Sequence, residues 1–164
     1  MDSAPDHESF MKLAILAAKM GVRNGQAPFG ACIVRGNEVV VVEHNVVWET
    51  KDFTAHAEVT AIRRACVALD TVDLSGCRIY STCEPCPMCF SACHWARISE
   101  IYFGTSIDDA AECGFNELRI SNRHLNKHLR LMGEKPKIIV RGLMRKHNSE
   151  LFRMWQKRQD RKAY

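Results

Sequence analysis

Two short motifs, 28 residues apart from Glu58 to Cys86, limit what this chain can fold into (86 − 58 = 28). "TAHAEVTAI" sets His56 and Glu58 two residues apart where an amphipathic helix begins, and "CEPCPMC" sets Cys86 and Cys89 at i and i+3 where another begins. Used together, they require two helix starts to hold four reactive side chains in one place. Cys86 and Cys89 project from one helix face, and the dipole at a helix N-terminus favours the thiolate form that a metal requires. Taken alone, C-x-x-C is also the spacing of a dithiol redox centre or of half a structural zinc site.

The residue types decide among these. His56, Cys86 and Cys89 offer one zinc ion per chain three protein ligands, and three rather than four leaves a position for water, the mark of a catalytic site. Two thiolates nominally cancel the charge of Zn²⁺, so a base is needed nearby. Glu58, on the same turn as His56, fits that role: it takes a proton from water and passes it to a ring nitrogen and then to a leaving amine. Singly, a helix-start histidine and a first-turn acid are ordinary. Cys83 lies three residues before Cys86 but precedes Pro85 and ends a strand, so it stays outside the ligand set. Cys32, Cys66, Cys77, Cys93 and Cys113 sit among apolar neighbours and read as buried free thiols.

The flanking pattern gives the architecture. Asp6 caps a first helix in which Phe10, Leu13, Ala14, Ala17 and Gly21 recur at helical spacing, and "NGQAPFG" ends it. "FGACIV" and "EVVVVEHNVV" read as a hairpin turning at Arg35-Gly36-Asn37. The helix over 57–69 is followed by the strand "CRIYSTC", the short helix "CPMCFSACHWAR" and the strand "EIYFGT", an order that predicts parallel pairing. A weakly patterned stretch runs to Pro136, then comes the strand "KIIVRG" and a last helix capped by Asn148, with Leu151, Met154, Trp155 and Arg158 aligned. Five strands and their helices predict a single α/β domain over residues 1–164, a three-layer α/β/α arrangement with a mixed sheet.

Eight cysteines scattered along 164 residues are unlike a short disulfide scaffold and favour a reducing, cytoplasmic setting. The opening "MDSAPDHESF" lacks the basic and apolar regions of a secretory signal, and no apolar run reaches the ~18 residues of a membrane span, so a soluble protein with no membrane contact is expected. The net charge of +4 is concentrated in "FRMWQKRQDRK", residues 152–162, a basic face that is either simply solvated or a footprint for nucleic acid.

H-x-E followed by P-C-x-x-C is the signature of zinc nucleobase deaminases. The chain resembles that cytidine/deoxycytidylate deaminase superfamily, and within it the small bacterial guanine deaminases, through "APFGACIV", "TAHAEVTAIR", "CEPCPMC", "WAR", "DDAAECGF" and the terminal tyrosine. The resemblance implies a cytidine-deaminase-like fold and hydrolysis of a purine-like base, guanine to xanthine and ammonia. It further implies that Phe29 stacks on the base, Asn45 hydrogen-bonds its edge, Ala57 offers backbone and Trp95 closes the pocket. It also implies a homodimer in which a C-terminal segment, about 145–164, is exchanged between subunits and carries Tyr164 into a site. One departure stands out. The family reads "GFDD" where this chain has "GFNE", so its second substrate-contacting carboxylate falls on Glu117, longer by one methylene.

Three alternatives stay open on the residues. One is a tRNA adenosine deaminase, although "SIDDAAECGFNEL" resembles the free-base enzymes. Another is a deaminase of a different base, nucleoside or aminated ring. The third is a non-enzymatic zinc module whose fourth ligand would be His94 or Cys83.

Overall fold

The computed structural model describes residues 4–164; the first three residues of the polar opening lie outside them. Helix α1 (His7–Arg23) is capped by Asp6, whose carboxylate accepts from Ser9 N–H, as its sequence predicts. Strands β1 (Gly30–Arg35) and β2 (Glu38–His44) form the expected antiparallel hairpin, with Gly36 at φ +59° in its turn. A one-turn helix α2 (Val47–Thr50) follows where the sequence suggests continuing strand. Then come α3 (Ala57–Ala68), β3 (Cys77–Cys83), α4 (Pro87–Trp95), β4 (Glu100–Thr105) and α5 (Ile107–Glu112). The chain ends with α6 (Asn122–Leu131), β5 (Ile138–Arg141) and α7 (Arg145–Gln156).

The sheet order is β2-β1-β3-β4-β5, with β3, β4 and β5 parallel and the hairpin antiparallel. It is a mixed five-stranded sheet between helical layers. Alternation along the strands sorts the core: Cys32, Val34, Tyr80 and Tyr102 pack with Phe10, Met11 and Ala14 of α1 and Leu151 of α7. Their neighbours Ala31, Ile33, Ile79 and Ile101 pack with Ala57, Ala61 and Ala65 of α3 and Phe90 and Cys93 of α4. Two glycines permit this closeness. A Cβ at Gly30 would run into the α1 backbone at Ala14, and one at Gly104 would run into the Asn148 side chain.

Asn148 is not the cap its sequence position suggests. Helix α7 starts a turn earlier, after Met144 in the left-handed region at φ 51°, and the buried Asn148 donates back to the carbonyls of Leu143 and Met144. The weakly patterned stretch before Pro136 is α6, whose inward contacts are Leu125 and Leu129. All eight cysteines are free; Cys66 and Cys113 are only half-buried, the others buried. No helix among the described residues is long and apolar enough to cross a membrane.

Candidate active site

The parallel strands β3 and β4 end side by side, and the loops leaving their C-terminal ends meet the start of α3. His56 is the residue before α3 and Cys86 the residue before α4, with Pro87 at the first helical position, where its missing N–H costs nothing. Cys89, one turn on, faces the same point. His56 Nδ1 lies 3.7 Å from Cys86 Sγ and 3.6 Å from Cys89 Sγ, and the three ligand atoms are within 4.8 Å of one another. A tetrahedral zinc with ordinary Zn–N and Zn–S bonds needs N···S edges of about 3.6 Å, so the donor set fits the ion. Among the described residues it is the one such group formed, and neither His94 nor Cys83 joins it. Cys83 donates its thiol proton to the Ser106 carbonyl instead, which leaves the structural-module alternative without its fourth ligand.

Two carboxyls close on this group. Glu58, buried on the first turn of α3, accepts from Ser81 Oγ at 2.8 Å through Oε1, and its Oε2 lies 3.5 Å from Cys89 Sγ. Ser81 points there because it shares a strand face with Ile79. Glu117 Oε1 stands 3.7 Å from His56 Nδ1.

Crowding acids around one imidazole perturbs all of them. Burial raises the Glu58 carboxyl, and burial followed by the charge of Cys86 raises Glu117 to about 8. The Cys86 thiol falls to about 4, first through a hydrogen bond from Cys89, while burial and that same hydrogen bond push Cys89 well above its ordinary value. Burial would lower the His56 imidazole, but the hydrogen bond and charge of Cys86 outweigh it and leave it raised. A bound cation relieves this repulsion, a second reason the donor set suits a metal.

The polar shell behind the ligands was missed in reading the sequence. Glu84, in the Cys83–Cys86 loop, accepts from the backbone N–H of Asn122 at 2.8 Å and of Ile107 at 3.3 Å. Fully buried Asn122 donates from Nδ2 to Pro85 O at 2.6 Å, so the start of α6 clamps the residue preceding Cys86. The available signal was Ser81 and Glu84, polar residues in and just after a strand that reads as buried.

Over the ligands lies the chain's own C-terminus. Asn45, fully buried, accepts from Val47 N–H through Oδ1 at 3.2 Å, which turns Nδ2 to donate to Tyr164 Oη at 2.6 Å. The Tyr164 ring is 5.2 Å from His56 and 5.5 Å from Phe115. Trp48 of α2 holds the tail by donating from Nε1 to Lys162 O at 3.0 Å, and Asn116 N–H donates to Tyr164 O. The eight residues after Gln156 (164 − 156 = 8) reach at most about 28 Å, so exchange between subunits is not needed to bring Tyr164 here.

The other expected residues divide. Ala57, fully buried, is the first residue of α3, with an N–H that has no intrahelical acceptor. Phe29 is core, edge-on to Phe115 at 4.8 Å and to Phe152 at 5.9 Å, with Phe115 between it and Tyr164. Trp95 is not brought to the site: it ends α4, about 13 Å of helix from Cys86, and is 83% exposed.

A mixed sheet whose parallel strands deliver a His/Cys/Cys group and a buried glutamate to two helix starts defines the class of zinc-dependent hydrolytic deaminases. Residues 4–105 match the family described as the cytidine and deoxycytidylate deaminase zinc-binding region. The chain belongs to that family. It is 45% identical over 113 residues to the guanine deaminase of Bacillus subtilis, covering 68% of this chain and 72% of that protein. It is 46% identical over 96 residues to a tRNA-specific adenosine deaminase of Aquifex aeolicus, covering 58% of this chain and 64% of that one. Its fold superposes on the guanine deaminase structure from Nitrosomonas europaea with a TM-score of 0.80 at 25% identity, over 93% of this chain and 85% of the other.

Proposed function

We propose that the chain removes the exocyclic amine of a free purine-like base, converting guanine and water to xanthine and ammonia. The observation that carries this reading is the covered site: the tail, tied down at Lys162 and Tyr164, lies across the His/Cys/Cys group, a cover that favours a small ring over a folded nucleic acid.

Zinc, when held by His56, Cys86 and Cys89, supplies the Lewis acidity that makes water a nucleophile near neutral pH. Glu58 moves the protons. Anchored on Ser81 through one oxygen and raised by burial, its carboxyl takes a proton from water and hands it to the ring nitrogen beside the attacked carbon. A second transfer through Glu58 protonates the amine, the C–N bond breaks, and the water oxygen stays on the ring as the new carbonyl. Asn45 has one amide end fixed on Val47, so its N–H₂ is preset to donate to a ring acceptor in place of Tyr164 Oη. Glu117, beside His56, offers a carboxyl suited to a ring N–H, and Tyr164 excludes water above.

The likeness to the Aquifex enzyme supports a second reading, deamination of adenosine within tRNA. Zinc-loaded protein offered guanine, adenine, cytosine, their nucleosides and a tRNA anticodon stem-loop separates the two. Ammonia and xanthine from guanine are expected; inosine in the stem-loop without guanine turnover would replace the first reading by the second.

A further inference from the structure

Behind the metal loop, α6 and the edge strand β5 enclose a groove of about 1140 Å³. Its cations stand on both walls. Arg123, Lys127 and Arg130 recur at i, i+4 and i+7 on α6, one stripe rising about 10 Å, and Arg141 of β5 lines the same recess. All four are exposed, and none takes part in the ion pairs or side-chain hydrogen bonds formed among the described residues. The acids alongside are already engaged: Asp108 with Arg119, and Glu84 with two backbone N–H groups. With Glu84 as the one acid of the lining that lacks a cationic partner, the recess is net positive.

The walls are fixed before any ligand arrives. Asn126 of α6 accepts from Lys137 N–H at 2.9 Å and donates to Lys137 O at 2.8 Å, locking the helix to the start of β5. Leu125, Leu129 and Ile139 pack into the core beneath. Guanidiniums carried on two walls whose backbones are fixed can meet phosphate oxygens bidentately, with only the side chains left to order on binding.

We propose that this groove binds a short chain of phosphates, of the kind carried by a nucleoside triphosphate. A linear polyanion about as long as the cation stripe neutralises both walls at once, and the volume exceeds what the phosphates alone would fill. Ile107 lines the groove and also packs on Cys86 and Cys89, and Glu84 lies two residues before Cys86, so a ligand here sits against the back of the metal loop.

Calorimetric titration of the zinc-loaded full chain with inorganic triphosphate and with ATP tests the proposal. Saturable binding of one triphosphate per chain is expected, weakened about tenfold or more by Arg123→Ala and by Arg141→Ala, and unchanged by Arg64→Ala, whose guanidinium is paired with Glu43 elsewhere. Equal affinity for the two probes assigns recognition to the phosphates alone, and tighter ATP binding adds the nucleoside. Thermal melts of the variants establish that they are folded. No saturation below millimolar triphosphate, unchanged affinity in the Arg123→Ala/Arg141→Ala double variant, or single-stranded RNA binding that this double variant abolishes and triphosphate does not compete would each overturn it.

Discussion

Replacing Asn122 by alanine tests whether the polar shell behind the metal loop prepares the ligands. Asn122 is fully buried, and its Nδ2 donates to Pro85 O at 2.6 Å, one residue before Cys86. Alanine leaves that carbonyl buried without a donor, a cost of about 1–3 kcal/mol. Part is offset, because Asn122 Oδ1 is itself buried without a partner and disappears with the side chain. A net destabilisation of about 1–2 kcal/mol remains. The Asn122 backbone N–H still reaches Glu84, so the fold persists. Freed at Pro85, the loop holds Cys86 less firmly, and zinc affinity should drop about tenfold, the lower end for groups that orient metal ligands. Competition against a chromophoric chelator measures that drop, and urea unfolding of the metal-free chain measures the stability. Zinc affinity within about twofold of wild type, with the stability loss present, would refute the coupling between α6 and the ligands.

Other outcomes follow from the same geometry. Glu58→Gln keeps the Ser81 hydrogen bond through its amide oxygen and should keep zinc, yet lose about 10²-fold or more in kcat; a loss under about tenfold would point to another proton carrier. Asp109 closes the α5 capping box on Ser106 and binds Arg145 of α7. Burial works to raise its carboxyl, but the Ser106 and Arg145 interactions outweigh it and hold it below the ordinary value. Its contribution is therefore present above the ordinary carboxyl pKa and lost as pH falls through the lowered one; Asp109→Asn should flatten the acid limb of the stability curve, and an unchanged limb would count against the assignment. Truncation after Arg161 removes Tyr164 and the Lys162 anchor, so kcat/KM should fall while zinc content and melting temperature hold. Light scattering accompanies it: activity that survives dilution to monomer keeps Tyr164 with its own chain, and activity lost on dilution assigns it to exchange within a dimer.

Where strong periodicity met a buried face, the sequence was enough. α1, the hairpin up to His44, β3, α4, β4 and β5 fall as read, and His56, Glu58, Cys86 and Cys89 converge because two strand ends deliver them to two helix starts. Helix α6 escaped because only Leu125 and Leu129 mark its inner face among five basic or histidine side chains. Asn148 resembled a cap from its residue type, but α7 starts after Met144, a non-glycine residue in the left-handed region that nothing in its type announces. Ser81, Glu84 and Asn122 act through contacts across 23 to 38 residues of sequence, which local pattern does not register. Trp95 is a large aromatic on the ligand helix itself, and nothing in its residue type reveals that it sits at the far, exposed end.

Ammonia release from guanine by chelator-treated protein, before and after zinc is restored, tests the central claim most directly. The metal-free chain should be inactive, and turnover should rise in proportion to zinc until one ion per chain is bound by His56, Cys86 and Cys89. Turnover that continues at the same rate without metal, or stoichiometric zinc with no ammonia from guanine or any other amino-substituted ring, would contradict it.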